Sequence, residues 1–535
     1  MKQLTRHRLP LWLWAASLFL SWAAAHAQPN PAPDWQASQP GSTGVSLALD
    51  PTGNAYALGL KAPNPYDAAV GTLTLSRYTA TGALQWTRTW FPTGYAGARP
   101  RAVLSDGAGN AFVIGAYSDY NYVITLAADG TSTTTIDGLF DGGWAVQKFG
   151  ADGTLLWTRQ LLRIGGGAVA GAVDAAGHLV LLSGAAGHRA LYVDKLSGAD
   201  GTSLWAGSIA APAGGEVPGE LRLTTDGQVV AAGASGLGLA LYAFAADTGA
   251  LRWSTRLAEA AGLYAPGLAV GPLGELVVTG ATPAGALYLA AVDTNRLLTF
   301  SRTVASASRG LRVAVDGSGR IYVAGIGGQP SNWVTLVVDA AGRPLVGPTT
   351  LDRHAASNEM PKALVLHAGG AFTVTGAAGP GTSTDPTATR ATTLRQNADG
   401  SIAWLAATEQ ATAGVALAAA ADASVLMLAD TAQALLHYPA VAPATPQSLT
   451  LAKTSASGGR STTGTVRLSA TTGAVVTLTS SHPSLVKVPA SITVPAGAGS
   501  ASFSVGTARV RTQTAVTLTA TANGRSVSTV LTLLR

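Results

Sequence analysis

Cysteine is absent from this 535-residue chain, and charge is scarce. Without a thiol there is no disulfide, no thiolate nucleophile and no lipid-modified N-terminal cysteine. Charged residues make up 12% of the chain, about half the usual share. Past residue 27 no segment reaches the roughly 18 uninterrupted apolar residues that a membrane helix needs. From Gln447 onward acidic residues are missing altogether, while Lys453, Arg460, Arg467, Lys487, Arg509, Arg511, Arg525 and Arg535 remain. That segment therefore carries +8, and the section between the leader and it carries −5.

Motifs that need a helix are missing too. No His-x-x-x-His pair occurs among His178, His188, His354, His367, His437 and His482, so two imidazoles cannot share a helix face around a metal. No glycine-rich phosphate loop precedes a helix. Gly233-Ala-Ser235-Gly-Leu comes nearest to a nucleophile elbow, but it fails at its last position and sits in a hairpin. Asp152-Gly-Thr-Leu-Leu-Trp157 has the wrong register for the Asp box of sialidases. Paired carboxylates far apart in sequence stay open as a glycosidase-type site.

What is present begins with a leader. Lys2, Arg6 and Arg8 precede an apolar run from Leu9 to Ala25, and Ala25-His26-Ala27 has the small-x-small pattern of a cleavage site. Residues 1–27 are thus expected to be a signal peptide. The mature chain is expected in the periplasm or at the cell surface and outside, without a transmembrane segment or nucleic-acid partner.

The rest is organised by a repeat. Val45-Ser-Leu-Ala-Leu-Asp50-Pro-Thr-Gly53-Asn-Ala-Tyr-Ala-Leu-Gly59 returns at Ala102–Gly115 and Val313–Gly325. Weaker copies turn at Gly177, Gly227, Gly274 and Gly369. A second phrase closes each unit: Gly82-Ala-Leu-Gln-Trp86, Gly153-Thr-Leu-Leu-Trp157, Gly201-Thr-Ser-Leu-Trp205, Gly249-Ala-Leu-Arg-Trp253 and Gly400-Ser-Ile-Ala-Trp404. Phe300 stands in for the Trp of the fifth unit, and the sixth has no clear equivalent. Short alternating apolar runs between Gly/Asp/Asn turns are antiparallel strands. Four strands per unit, at roughly 45–70 residues, match a propeller blade. The Asp-x-x-Gly segments are read as hairpin turns rather than calcium sites, since the turn alone demands those residues.

Seven units span roughly residues 44–410, and an eighth continues to Tyr438 but stops before any Trp. Asp34-Trp35-Gln-Ala-Ser is placed to supply its outer strand, which favours eight blades over seven. Ala116–Asp141 reads as an inserted loop or extra hairpin in the second unit. Residues 28–440 are assigned to the propeller and 441–446 to a Pro-rich linker. Residues 447–535, with strands expected at 448–456, 464–470, 474–480, 486–494, 500–506, 514–521 and 525–534, are assigned to an immunoglobulin-like sandwich.

The repeat resembles bacterial PQQ-like and related propeller repeats, and Ala246–Trp253 looks like their tryptophan-docking motif. The tail is similar to bacterial Ig-like repeats in Val488–Gly497 and Ala515–Gly524. The resemblance implies an all-β fold; in alcohol-oxidising relatives it also implies a vicinal disulfide against the quinone, which this chain cannot make. No cofactor is expected. Function is read as a non-catalytic scaffold binding protein or glycan at the envelope, against the alternative of a PQQ-like oxidoreductase or carbohydrate-active enzyme. Tyr117, Tyr120, Tyr122 and Trp144, with Tyr66 in the first unit, are the aromatics expected to be exposed for binding.

Overall fold

The computed structural model describes residues 31–126, 132–161, 170–260, 262, 264–328, 331–352, 358–379, 389–408, 411–440, 444–469, 474–495, 498–522 and 525–535. At 121–126, 132, 133, 135–141 and 186 it describes the backbone alone. The leader and His354 lie outside the described residues. Two compact units emerge, one holding Pro33–Ser401 and Ala407–Ala440, the other Ile402–Ala406 and Val441–Arg535.

Among the described residues the first unit is built from four-stranded antiparallel sheets, eight in number. The first sheet comprises Ser42–Leu49, Ala55–Lys61, Thr72–Tyr78 and Leu84–Trp90. The second comprises Gly97–Ser105, Ala111–Leu126, Ser132–Phe149 and Leu155–Leu161. The third comprises Ala170–Val173, Leu179–Gly184, Ala190–Leu196 and Ser203–Ala210; the fourth, Val217–Leu223, Gln228–Ser235, Gly238–Ala245 and Leu251–Leu257. The fifth comprises Gly267–Val270, Leu276–Ala281, Leu287–Val292 and Leu298–Val304; the sixth, Arg309–Val315, Ile321–Gly327, Asn332–Val338 and Pro344–Leu351. The seventh runs from Met360–Leu366 through Phe372–Ala378 and Arg390–Gln396 to Ile402–Thr408.

The eighth sheet joins both ends of the unit. Gly414–Ala419, Val425–Ala429 and Leu435–Tyr438 are completed by Trp35–Ala37, which pairs antiparallel to Leu435–His437. The first strand of each sheet packs against the first strand of the next, and the circle returns from Gly414–Ala419 to Ser42–Leu49. Second and third strands are almost wholly buried, because both of their faces meet a neighbouring sheet. Tyr56, Leu58, Leu73 and Leu75 of the first sheet, for example, pack on Ala98, Val103, Val113 and Phe149 of the second. Each such side chain contributes about 1.5–3 kcal/mol.

Two devices hold the closing seam. Trp35 stacks on His437 at 5.3 Å, and a Cβ on Gly82 in the first sheet would overlap the Trp35 ring. Gln433, fully buried, donates from Nε2 to the Ala57 carbonyl at 2.7 Å and accepts from Thr74 Oγ1 at 3.1 Å. Both partners belong to the first sheet, so one amide side chain ties the last sheet to the first.

The Asp-x-x-Gly segments are hairpin turns. Asp50 Oδ1 accepts from the Thr52 and Asn54 amides at 2.9 Å, while Oδ2 accepts from Asn54 Nδ2 and from Arg77 at 2.6 Å. Burial pushes this carboxyl up, but Asn54, Arg77 and Thr52 outweigh it and hold it at about 2. Gly53 sits at φ 83°, where a side chain would be strained. The same cation recurs in the next two sheets as Lys148 on Asp106 at 2.9 Å and Lys195 on Asp174 at 2.8 Å. Each also reaches the following sheet: Arg77 to Ala151 O, Lys148 to Gly198 O and Lys195 to Ala246 O.

The second unit is two sheets around one apolar core that includes Val466, Val476, Val505, Val516 and Leu531. Its four-stranded sheet orders Pro446–Leu451, Ser461–Leu468, Ser500–Thr507 and Val486–Lys487. Its five-stranded sheet orders Ser455–Ser457, Arg525–Leu534, Thr514–Ala522, Ala474–Ser480 and Ser491–Val494. Two strands expected to be continuous, 448–456 and 486–494, are each broken, and their halves lie in opposite sheets. In the second case Pro489 stands at the break, where a missing N–H ends a ladder. The first strand begins at Pro446, inside the expected linker.

Candidate functional site at the loop end of the ring

Because the strands alternate in direction, one end of the ring carries all the first-to-second and third-to-outer turns. The opposite end carries the second-to-third loops and the connections between sheets. It is at this loop end that the second sheet departs from its neighbours. Its middle strands run on as a long hairpin, with pairing traced from Ala111↔Phe149 to Leu126↔Ser132 and register shifts at Tyr117/Ser118 and Tyr120/Tyr122. The inserted segment is thus the extra hairpin, and its tip at 127–131 lies outside the described residues.

The second-to-third loop of the first sheet, residues 62–71, packs beside that hairpin. Gly71 and Ala98 exchange backbone hydrogen bonds at 2.9 and 2.8 Å. Asn64 Nδ2 donates to Ala96 O at 3.0 Å and lies 3.4 Å from Tyr120 Oη. Arg99 reaches Asp67 at 2.6 Å, and the Ala69 amide donates to the same carboxylate at 2.8 Å. Burial raises the Asp67 carboxyl, but Ala69 N–H and Arg99 outweigh it and leave it below the ordinary range. Onto this frame Tyr66 and Tyr120 are set edge to face, ring centroids 6.0 Å apart at 89°. Tyr66 remains 53% exposed. The result is an aromatic pair on a braced loop, flanked by an ion pair.

Two of the expected aromatics are not surface groups. Tyr117 is 1% and Trp144 2% exposed. Tyr117 packs on Tyr95 at 4.6 Å, and a Cβ at Gly142 would come within 2.9 Å of its ring. Trp144 joins Phe112, Ile114, Leu179 and Leu181 in the core between the second and third sheets, with the Arg101 guanidinium 5.8 Å from its ring. Both lie where the hairpin is still sheet, so neighbours cover them on either face. Tyr122 has its backbone opposite Ile136, and its side chain lies outside the described residues. Tyr120 and Tyr66 thus remain, joined by the Arg99–Asp67 pair that sequence reading did not single out. The excess of Asn, Tyr and Asp in 64–67 was the available signal.

Polar groups elsewhere serve the interior. Glu216, fully buried, accepts from Tyr242 Oη at 2.9 and 3.0 Å and from Arg256 at 3.0 Å. Ser235, also fully buried, accepts from Arg256 at 2.9 Å, which leaves its oxygen facing a cation and not a base. His367 bonds Thr373 at 2.8 Å, and burial, with Arg395 nearby, lowers it to about 4. Among the described residues no three His, Asp or Glu gather as a metal would require. On the innermost strands Glu220 is the one carboxylate, beside Arg99, Arg101, Arg222, Arg309, Arg312 and Lys362. Two facing carboxylates therefore do not occur on those strands.

At the turn end, the repeated Trp explains how neighbouring sheets meet. Each ring of Trp86, Trp157 and Trp205 covers the turn glycine of the next sheet, Gly153, Gly201 and Gly249. Each indole N–H donates to that turn's carbonyl, at Ala151, Gly198 and Ala246. Phe300 covers Gly342 in the same way, and Val346 covers Gly400, which supplies the missing equivalent in the sixth unit. A Cβ at Gly201 would lie 2.7 Å from the Trp157 ring, and its φ is 73°. Gly201→Ala is therefore expected to cost about 2–4 kcal/mol, a left-handed penalty plus overpacking. Urea titration of the two chains checks this.

Four-stranded sheets packed first strand to first strand around a closed circle define a β-propeller protein. No family model matches the chain, and no curated protein matches it. Among solved structures it is similar to the Dos1 propeller, at TM-score 0.51 and 12% identity, covering 77% of this chain and 95% of that one. It also matches a streptogramin B lyase (TM-score 0.39, 11% identity, 75% and 96% covered). A third match is the WD40 propeller domain of Doa1 (0.28, 11%, 58% and 97%). At 12% identity the likeness to the Dos1 propeller shows the fold alone. Among the described residues no helix is long and apolar enough to cross a membrane.

Proposed function

We propose that this chain is an exported, non-catalytic, eight-bladed scaffold that binds a protein partner of the cell envelope through the loop-end patch of Tyr66, Tyr120, Arg99 and Asp67. The observation that carries the reading is the exposed Tyr66 ring, held in place by Tyr120 and by the Asn64 and Asp67 contacts beneath it. Tyrosine and arginine are the residues that concentrate binding energy at interfaces, and a braced aromatic loses little entropy on docking. The leader sequence supports export. The docking of Trp on turn glycine supports kinship with PQQ-like propellers, while the lack of paired inner carboxylates argues against chemistry in the funnel.

The tail, on this reading, is an Ig-like spacer. All eight of its basic side chains are exposed, which suits an anionic envelope polymer as its neighbour. Tyr66→Ser with Tyr120→Ser is expected to weaken partner binding by about 30-fold or more, in keeping with the loss of a hot spot. The thermal midpoint should fall by no more than about a few degrees, since Tyr66 is exposed and Tyr120 half-buried. Affinity measured by surface plasmon resonance, with melting as control, tests this. Unchanged affinity, or turnover of a small substrate at the inner strands, would sink the reading.

A further inference from the structure

The Trp-on-glycine docking fails at one described seam. Between the fourth and fifth sheets the turn residue that should receive Trp253 is Arg296, held at φ 71° where the corresponding turns use glycine. Its guanidinium lies 5.8 Å from the centroid of the Trp253 ring. The indole N–H, denied a carbonyl of the next sheet, donates instead to Gln228 Oε1 of its own sheet at 3.0 Å. A cavity of about 160 Å³ lies between the two sheets, walled by Trp253, Asp226, Gln228, Asp293 and Thr294.

Of the polar groups here, Asp226 and Gln228 are already bonded to one another, whereas Asp293 keeps a free carboxylate oxygen among the described residues. Asp293 holds the Leu297 amide on one oxygen at 2.8 Å, and no donor among the described residues reaches the other. Asp226 is oriented by Thr224 Oγ1 and Gln228 Nε2. Arg296 is exposed beside the Trp253 ring, outside the cavity wall, and has no carboxylate partner among the described residues. Two carboxylates disfavour an anion, and the guanidinium disfavours a cation. An aromatic wall beside hydrogen-bond donors and acceptors fits a neutral ring with an apolar C–H face and a rim of hydroxyls. The volume matches one six-membered ring, since cavities near 150 Å³ hold benzene.

We propose that this seam is a binding site for a single saccharide ring, with Trp253 against its apolar face, Asp293 and Asp226 accepting from hydroxyls, and Arg296 donating to them. Arg296 occupies a left-handed backbone position, φ 71°, that glycine would fill with less strain. The site lies at the turn end, opposite the Tyr66 patch, and stands independently of it.

The test uses the full mature chain and the methyl glycosides of glucose, galactose, mannose and N-acetylglucosamine, followed by calorimetry and saturation-transfer NMR. At least one glycoside is expected to bind in the millimolar range. Arg296→Gly is expected to keep or raise the thermal midpoint while cutting that affinity at least about tenfold, a difference of 1.4 kcal/mol. Asp293→Asn should weaken it as well, and Tyr66→Ser should leave it unchanged. Absence of binding by the wild type at roughly 10 mM glycoside, or equal binding by Arg296→Gly, overturns the proposal. Loss of glycoside binding in Tyr66→Ser would place the site elsewhere and overturn it too.

Discussion

A chain beginning after Ser38 is expected to melt well below the intact mature chain, over a broader transition, and to aggregate on heating. The eighth sheet owes its outer strand to Trp35–Ala37, which comes from the far end of the unit's sequence. Without it, Leu435–Tyr438 becomes an open strand edge ready to pair with another chain. The Trp35 ring leaves both His437 and the Gly82 turn uncovered. Loss of a packed Trp alone costs about 3–5 kcal/mol, and the lost ladder adds to it. Trp35→Ala should fall between the two chains, because it keeps the ladder and loses only the ring. Gln433 still ties the last sheet to the first, so the truncated chain is expected to fold, only less stably. Scanning calorimetry of the three chains reads the order directly, and equal midpoints would contradict strand closure.

Lys148→Ala is expected to destabilise the ring strongly. Its ammonium lies 2.9 Å from Asp106, 2.8 Å from Gly198 O and 4.7 Å from the centre of the Phe112 ring. Both side chains are nearly sealed, at 8% and 4% exposure. Removing the cation leaves a buried carboxylate without its partner, which costs about 3–5 kcal/mol. Lys148→Met combined with Asp106→Asn should recover much of the loss, since a neutral pair needs no compensation.

The same pair gives the pH dependence. Burial raises the Asp106 carboxyl, but Asn110 and Lys148 outweigh it and leave it below its ordinary value. A carboxylate depressed in the folded state stabilises above its unfolded pKa and loses that contribution as pH falls through the folded one. Stability of the wild type is therefore expected to fall as acid takes the solution below the usual carboxylate range. The fall should be shallower in the double variant. Urea titrations across that range separate the two cases.

Much of this architecture could be read from the chain itself. Strands of alternating apolar residues between Asp and Gly turns repeat too regularly for another fold, and Trp35 stood alone ahead of the first unit as a strand without a sheet. The sites were harder. Tyr117, Tyr120 and Trp144 occur within one polar, aromatic stretch, yet only their distance from the end of the ordinary strands decides which are covered. Coverage comes from neighbouring sheets, which local sequence does not show. Arg296 was visible as the turn residue where related units have Gly201, Gly249 or Gly400, but its meaning needed the Trp253 ring beside it. In the tail, alternation alone ran two strands on where the backbone changes sheet.

On the proposed function, the loop-end patch is the binding surface. Placing a photoreactive benzoylphenylalanine at Tyr66, and in a second chain at Leu84, an exposed residue of the turn end, tests it in the producing cell. Irradiation is expected to link the Tyr66-substituted chain to one envelope protein and to leave the Leu84-substituted chain free. No adduct at position 66, or the same adducts at both positions, would contradict it.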